Sequence, residues 1–106
     1  MTLNEYAVLA QRTSNTKDSN KLLNGVLGLN GEAGEVADIV KKAAFQGHKL
    51  DVSHLVEEIG DCLWYIAELA TAAGVTLETV AALNIQKLNK RYPAGFETER
   101  SVNRPQ

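Results

Sequence analysis

The sequence predicts an all-α domain, an antiparallel bundle of four to five helices. Three observations carry that reading. The two prolines, Pro93 and Pro105, both lie near the C-terminus, so residues 1–92 are free of the strongest helix breaker. Apolar residues between about 20 and 92 recur at spacings of three and four, the period of a helix with one buried face. The Asn-Gly pairs at 24–25 and 30–31 have Leu- and Ala-rich flanks, not the alternating β-branched flanks of a hairpin.

Each element has its own signals. A short first helix is expected over about Thr2–Arg12, with Leu3, Tyr6, Ala7 and Ala10 on one face. The polar run from Thr13 to Asn20 reads as a connection. A second helix should start near Ser19 or Asn20 and run to Gln46, its apolar face formed by Leu22, Leu23, Val26, Leu27, Leu29, Val36, Ile39, Val40 and Ala43. Gly47 suits the left-handed residue that ends a helix. Asp51 or Ser53 can cap a third helix carrying Leu55, Val56, Ile59, Leu63, Ile66, Leu69 and Ala70, ended by Gly74. Thr76 caps a fourth, which stops before Pro93 because the residue preceding proline is pushed out of the α region. One domain spanning 1–106 is expected, with its core at 20–92 and an irregular tail over 93–106 that either lacks order or docks on a neighbouring subunit.

Composition narrows the function classes. With 44% hydrophobic and 23% charged residues, the chain is an ordinary soluble globular protein. A formal net charge of −2 argues against a nucleic-acid polymer as partner, since a phosphate backbone needs clustered Lys and Arg. The N-terminus has no basic segment followed by an apolar run, and no apolar stretch approaches the ~20 residues that span a bilayer. A single cysteine, Cys62, makes no internal disulfide and is expected as a small core residue. A cytoplasmic protein with no membrane partner is the expectation. At this length a core is shallow, and burial at a subunit interface would add stability.

Glycines stand at 25, 28, 31 and 34 of the second helix, each costing about 1 kcal/mol relative to alanine. Close helix packing is the plainer explanation; a kink or a ligand's close approach is the other. They are not a phosphate loop, because no Gly-Lys-Ser/Thr follows and no strand precedes them.

The chemistry lies in carboxylates. Glu32 and Glu35 are three apart on the second helix, and Glu58 and Asp61 are three apart on the third, so each pair shares a helix face. The short connection at 47–52 makes the helices antiparallel neighbours. Glu35 should then lie level with Glu58 and Glu32 with Asp61, given a stagger of roughly 7 Å. Such pairs also occur on solvated helix surfaces, where they hold nothing. Here, however, Ile59, Leu63 and Ile66 flank Glu58 and Asp61, and four carboxylates converging beside apolar groups would repel one another and lose hydration. A divalent cation removes both problems, and magnesium prefers oxygen ligands of this kind. Zinc fits poorly, because Cys62 is alone and His48 and His54 lie in or near a loop. A di-iron carboxylate bundle would want Glu-x-x-His motifs, and none is present.

The segments LNGEAGEVADIVKK and EEIGDCLWYIAELATAAGVTLETVAALNIQKLNKRYP resemble the MazG-like all-α nucleotide pyrophosphohydrolases over about Leu22–Phe96. The signature is Glu-x-x-Glu, a variable gap, then Glu-x-x-Asp. Glu32, Glu35, Glu58 and Asp61 match it, and the flanking GEAGE, EEIGD-x-LWY and N-x-x-K-x-x-x-RYP segments match as well. The resemblance implies cleavage of a nucleoside triphosphate between its α- and β-phosphates, giving the monophosphate and pyrophosphate, with Mg2+, or Mn2+ as a substitute, held by the four acids. It implies a nucleotide-pool house-cleaning role and a homodimer or homotetramer whose pocket takes residues from two chains. Asn84 and Lys87 are implied at the sugar and phosphates. Arg91 would add positive charge, Tyr65 would touch the substrate one turn after Asp61, and Asn24 would face the same cavity. Plainer readings stand beside these: a surface polar pair for Asn84 and Lys87, a half-buried aromatic for Tyr65, core more readily than base pocket for Trp64, surface charges for Asp38 and Glu57. Two other classes compete with the enzyme: a non-catalytic dimerisation or regulatory module retaining the acids, and a metal store or sensor that binds without turnover.

Overall fold

A computed structural model describes residues 1–14 and 20–104. Five helices follow in order: α1 (Leu3–Gln11), α2 (Lys21–Phe45), α3 (Val52–Ala72), α4 (Leu77–Arg91) and α5 (Thr98–Val102). No strand occurs among the described residues; Pro93 and Gly95 form an isolated bridge. The possible start of the second helix at Ser19 lies outside the described residues.

Helix ends follow local chemistry. Thr2 caps α1 through a capping box: its side chain accepts from the Glu5 amide, and the Glu5 carboxylate accepts from the Thr2 amide. Asp51 and Thr76 cap α3 and α4 by accepting from the amides of His54 and Thr79. Gly47 and Gly74 end α2 and α3 at φ 71° and 77°, a region that costs other residues a steric penalty. The tail is less irregular than its composition suggests: α5 forms within it, and the Arg100 guanidinium donates to the carbonyls of Arg91 and Lys90 at the end of α4. A cation on the last carbonyls of a helix satisfies groups that have no partner within it.

The dominant contact is the antiparallel pair α2–α3, with α1 laid across α3. Two of the α2 glycines explain how close the pair runs. A Cβ on Gly25 would lie 2.8 Å from Leu69 Cδ2, and one on Gly28 would lie 2.1 Å from Tyr65 Cε1, a clash with the ring. Gly31 and Gly34 have open space around them. Close packing therefore accounts for half of the glycine run and leaves the other half without a reason inside one chain.

The apolar face expected on the second helix is only partly covered. Leu29, Val36, Ile39 and Ala43 are half-buried, but Leu22, Leu23, Val26, Leu27 and Val40 are exposed. The first half of α2 instead turns Asn24, Gly25 and Gly28 towards α3. Around Ala67, Ala70 and Leu77 a small core forms, packed by Tyr6, Ala7, Leu63 and Ile66. α4 leaves α3 at 98°, and Asn4 fixes its first turn by bonding both the carboxylate and the amide of Glu78. The result is an open shape. The radius of gyration is 16.8 Å, against about 13 Å for a compact domain of this length. No single described helix is long and apolar enough to cross a membrane.

The contrast between glycines is testable by thermal or urea unfolding. Gly28→Ala should cost about 1–3 kcal/mol, since the Tyr65 ring must move. Gly31→Ala, with nothing in its way, should gain up to about 1 kcal/mol from helix propensity. Equal effects would mean that Tyr65 does not lie on Gly28.

Candidate metal centre

Because α2 and α3 run antiparallel, each step down one is matched by a step back along the other. Asn24 meets Glu68, Gly28 meets Tyr65, and Glu32 meets Asp61. Glu58 lies one turn before Asp61 on the same side. One carboxylate oxygen from each of Glu32, Glu58 and Asp61 falls within 4.8 Å of the others. Glu35, the fourth expected acid, is exposed on the next turn and outside that group, although its charge acts on Glu32.

The three acids are in unlike surroundings. Asp61 is exposed; Glu32 and Glu58 are half-buried. His54 Nε2 lies 3.2 Å from Glu58 Oε1, while Glu58 Oε2 is buried with no permanent N–H or O–H donor among the described residues. A buried acceptor without a donor costs about 1–3 kcal/mol. Glu32 pays for the crowding in proton affinity. Its pKa is pushed from an ordinary 4.5 up to about 7, first by a hydrogen bond shared with Glu58, then by burial and the charges of Glu58, Asp61 and Glu35. The Cys62 thiol is pushed up first by burial and then by the charges of Glu32, Glu58 and Asp61, and its sulfur is not part of the group formed by the three acids.

A cleft of about 360 Å³ opens over Glu32 and Asp61, completed by Thr13, Trp64 and Tyr65. A larger groove, about 490 Å³, lies on α1 and the α3–α4 turn, but Asn4, Gln11 and two threonines are its only polar side chains and it holds no acid. The chemistry is in the smaller one.

An all-helical chain that brings Glu-x-x-Glu and Glu-x-x-Asp to one point can be compared with known families. The MazG nucleotide pyrophosphohydrolase domain matches residues 21–96. The chain belongs to this family. It is also similar to the Gene 37 protein of Mycobacterium phage L5, 41% identical over 76 residues, 65% of this chain and 64% of the relative. The chain thus spans just under two thirds of the length of that curated relative. No solved structure matches it.

In this MazG-family chain the donors fit a hard divalent cation: they are all oxygens, one is buried without a permanent donor, and one holds a proton that a cation would displace. The other residues expected at the site are scattered. Tyr65 lines the cleft. Asn24 is one turn beyond Gly28 and gives its amide to Glu68 at 3.1 Å. Asn84 and Lys87 are exposed and Arg91 half-buried on α4, and none of the three lines the cleft within one protomer. Asp38 is a surface charge paired with Lys42 at 2.9 Å.

Trp64, read as core more readily than base pocket, lines the cleft. Three residues gain a part that the sequence reading did not give them. Thr13 lies on the rim of the cleft. His54 is exposed near the start of α3 as expected, yet lies beside the Glu58 carboxylate. Glu68 is fully buried, accepting from Ser14 and Asn24 and paired with Lys21 at 3.6 Å. The spacing 61, 65, 68 puts Glu68 on the face of Asp61 and Tyr65, but nothing in that spacing separates a buried acid from a solvated one.

The Glu32 shift fixes a pH dependence. A folded-state pKa above the unfolded value contributes stability below about pH 4.5 that is lost as pH rises through about 7. The metal-free protein should therefore lose melting temperature between pH 5 and 8. Mg2+ must displace the proton, so its affinity should fall about tenfold per unit below pH 7 and level off above it. Calorimetric titration across pH 5.5–8.5 checks this, and a flat profile would remove Glu32 from the ligand set.

Proposed function

We propose that this chain hydrolyses nucleoside triphosphates to the monophosphate and pyrophosphate with Mg2+, clearing nucleotides in the cytoplasm. The observation that carries the reading is the convergence of Glu32, Glu58 and Asp61 within 4.8 Å, at the foot of a cleft, in a member of this family. Water oxygen bonds to the α-phosphorus and gives up a proton to solvent, the bond from that phosphorus to the bridging oxygen breaks, and pyrophosphate leaves with that oxygen. Glu32, Glu58 and Asp61 would hold Mg2+, with Glu35 joining from the next turn, and Mn2+ would substitute. Bound there, the ion supplies positive charge to the phosphates and polarises a phosphoryl oxygen. The residues of the chain hold the acids at one point.

Among the described residues, no Lys or Arg lines the cleft to meet the phosphates. α4 carries Asn84, Lys87, Lys90 and Arg91 away from α3 at 98°. The exposed Leu22, Leu23, Val26, Leu27, Val56, Ile59, Leu83 and Ile85 leave far more apolar surface open than a stable monomer of this size presents. We therefore read the active form as a homodimer or homotetramer in which a second copy covers α2 and α4 and completes the pocket with the side chains of α4.

The experiment is pyrophosphate release from a panel of ribo- and deoxynucleoside triphosphates with Mg2+, run beside Glu58→Gln. Release by the parent, reduced at least a hundredfold in the variant, is expected from loss of a charge-bearing ligand. A folded parent that binds Mg2+ but releases nothing from any nucleotide would favour the binding or sensing module instead.

A further inference from the structure

The match to the MazG domain starts at residue 21, yet one wall of the acid cleft comes from residue 13. That wall is built. Trp64 Nε1 donates to Thr13 Oγ1 at 2.8 Å and to the Ala10 carbonyl at 3.0 Å, and the Thr13 hydroxyl donates to the same carbonyl at 2.8 Å. One turn further along α3, fully buried Glu68 accepts from Ser14 Oγ at 2.9 Å. Two consecutive residues of the chain leaving α1 are thus pinned to two consecutive turns of α3. The Glu68 carboxylate is itself held by Asn24 and Lys21 from the start of α2. Such a doubly held segment loses little freedom when a ligand packs on it.

The cleft lining is of two kinds: the acids Glu32 and Asp61, and the uncharged Thr13, Trp64 and Tyr65. A phosphate chain needs the cation held by the acids, which leaves the uncharged side chains for the nucleoside. Resting on the pyrophosphohydrolase reading, we propose that Thr13 is a substrate-contacting residue that sets affinity for the nucleoside half of the substrate, with Trp64 and Glu68 as the residues that position it.

The test separates the two ends of the ligand. Calorimetry with Mn2+ measures binding of pyrophosphate, which has no nucleoside, and of α,β-methylene nucleoside triphosphates, which are not cleaved. Thr13→Val keeps the size but loses the hydroxyl; Trp64→Phe keeps a ring but loses the donor; Thr13→Ser keeps the hydroxyl. The first two should weaken the nucleotide analogues about tenfold and leave pyrophosphate within twofold, and Thr13→Ser should restore parent affinity. Equal weakening of both ligands would assign Thr13 a purely structural role and overturn the proposal. So would unchanged nucleotide affinity in Thr13→Val and Trp64→Phe. A parent that binds pyrophosphate with Mn2+ but no nucleotide analogue would instead sink the pyrophosphohydrolase reading itself, and this proposal with it.

Discussion

Gly25 and Gly28 let α3 lie against α2 more closely than side chains allow, with Leu69 and the ring of Tyr65 filling the space their missing Cβ atoms leave. That contact does more than join two helices. A side chain seated over a glycine fixes the axial position of one helix on the other, because sliding by a turn would drive the ring into a neighbouring residue. With the register pinned at Gly28, the next turn must bring Glu32 to Asp61, and Glu58 follows from the helical repeat. The acids meet because the apolar contact beside them is tight, and their mutual repulsion is borne by that packing. Glu32 answers the crowding with a raised pKa, first through its hydrogen bond with Glu58 and then through burial and the neighbouring charges.

The same helix α3 gathers the rest of the protomer. Its Trp64 and Glu68 capture the chain leaving α1, and its small residues Ala67 and Ala70 receive Tyr6, Ala7 and Leu77. A carboxylate at 0% exposure would be costly alone, but Glu68 has donors from Ser14 and Asn24 and a cation 3.6 Å away in Lys21. Breaking one member would leave a buried charge exposed to its own desolvation cost, so the network specifies one arrangement of α1, α2 and α3 more than it adds stability.

Beyond α3 the protomer is thinly held. α4 leans on α1 through the Asn4–Glu78 pair and on α3 through Leu77, and most of its length is solvated. A chain of this size buries only a modest fraction of its surface even when compact, and this one is more open than that. Its exposed leucines and valines on α2 and α4 therefore represent hydrophobic stabilisation that one copy leaves unused. The proposed self-association and the proposed source of cations for the phosphates are two sides of that geometry.

By itself the sequence determined the helical class, the ends of four helices and the four acids of the signature. These depend on local chemistry: proline placement, caps at Asp51 and Thr76, left-handed glycines at 47 and 74, and spacings of three within a helix. The short connection at 47–52 made the two helices antiparallel neighbours, but the level of Glu32 against Asp61 still needed a stagger that the Tyr65–Gly28 contact fixes. The tertiary structure decided what depends on which face meets which neighbour. It turned glycine and asparagine, not leucine, from the first half of α2 towards α3, set Glu35 apart from the other three acids, and aimed α4 away from the cleft. It also made Glu68 a buried anchor and placed Trp64 and Thr13 on the cleft wall. Burial is a property of the whole packing, and the same acid or indole at the same helical spacing can face solvent, core or cleft.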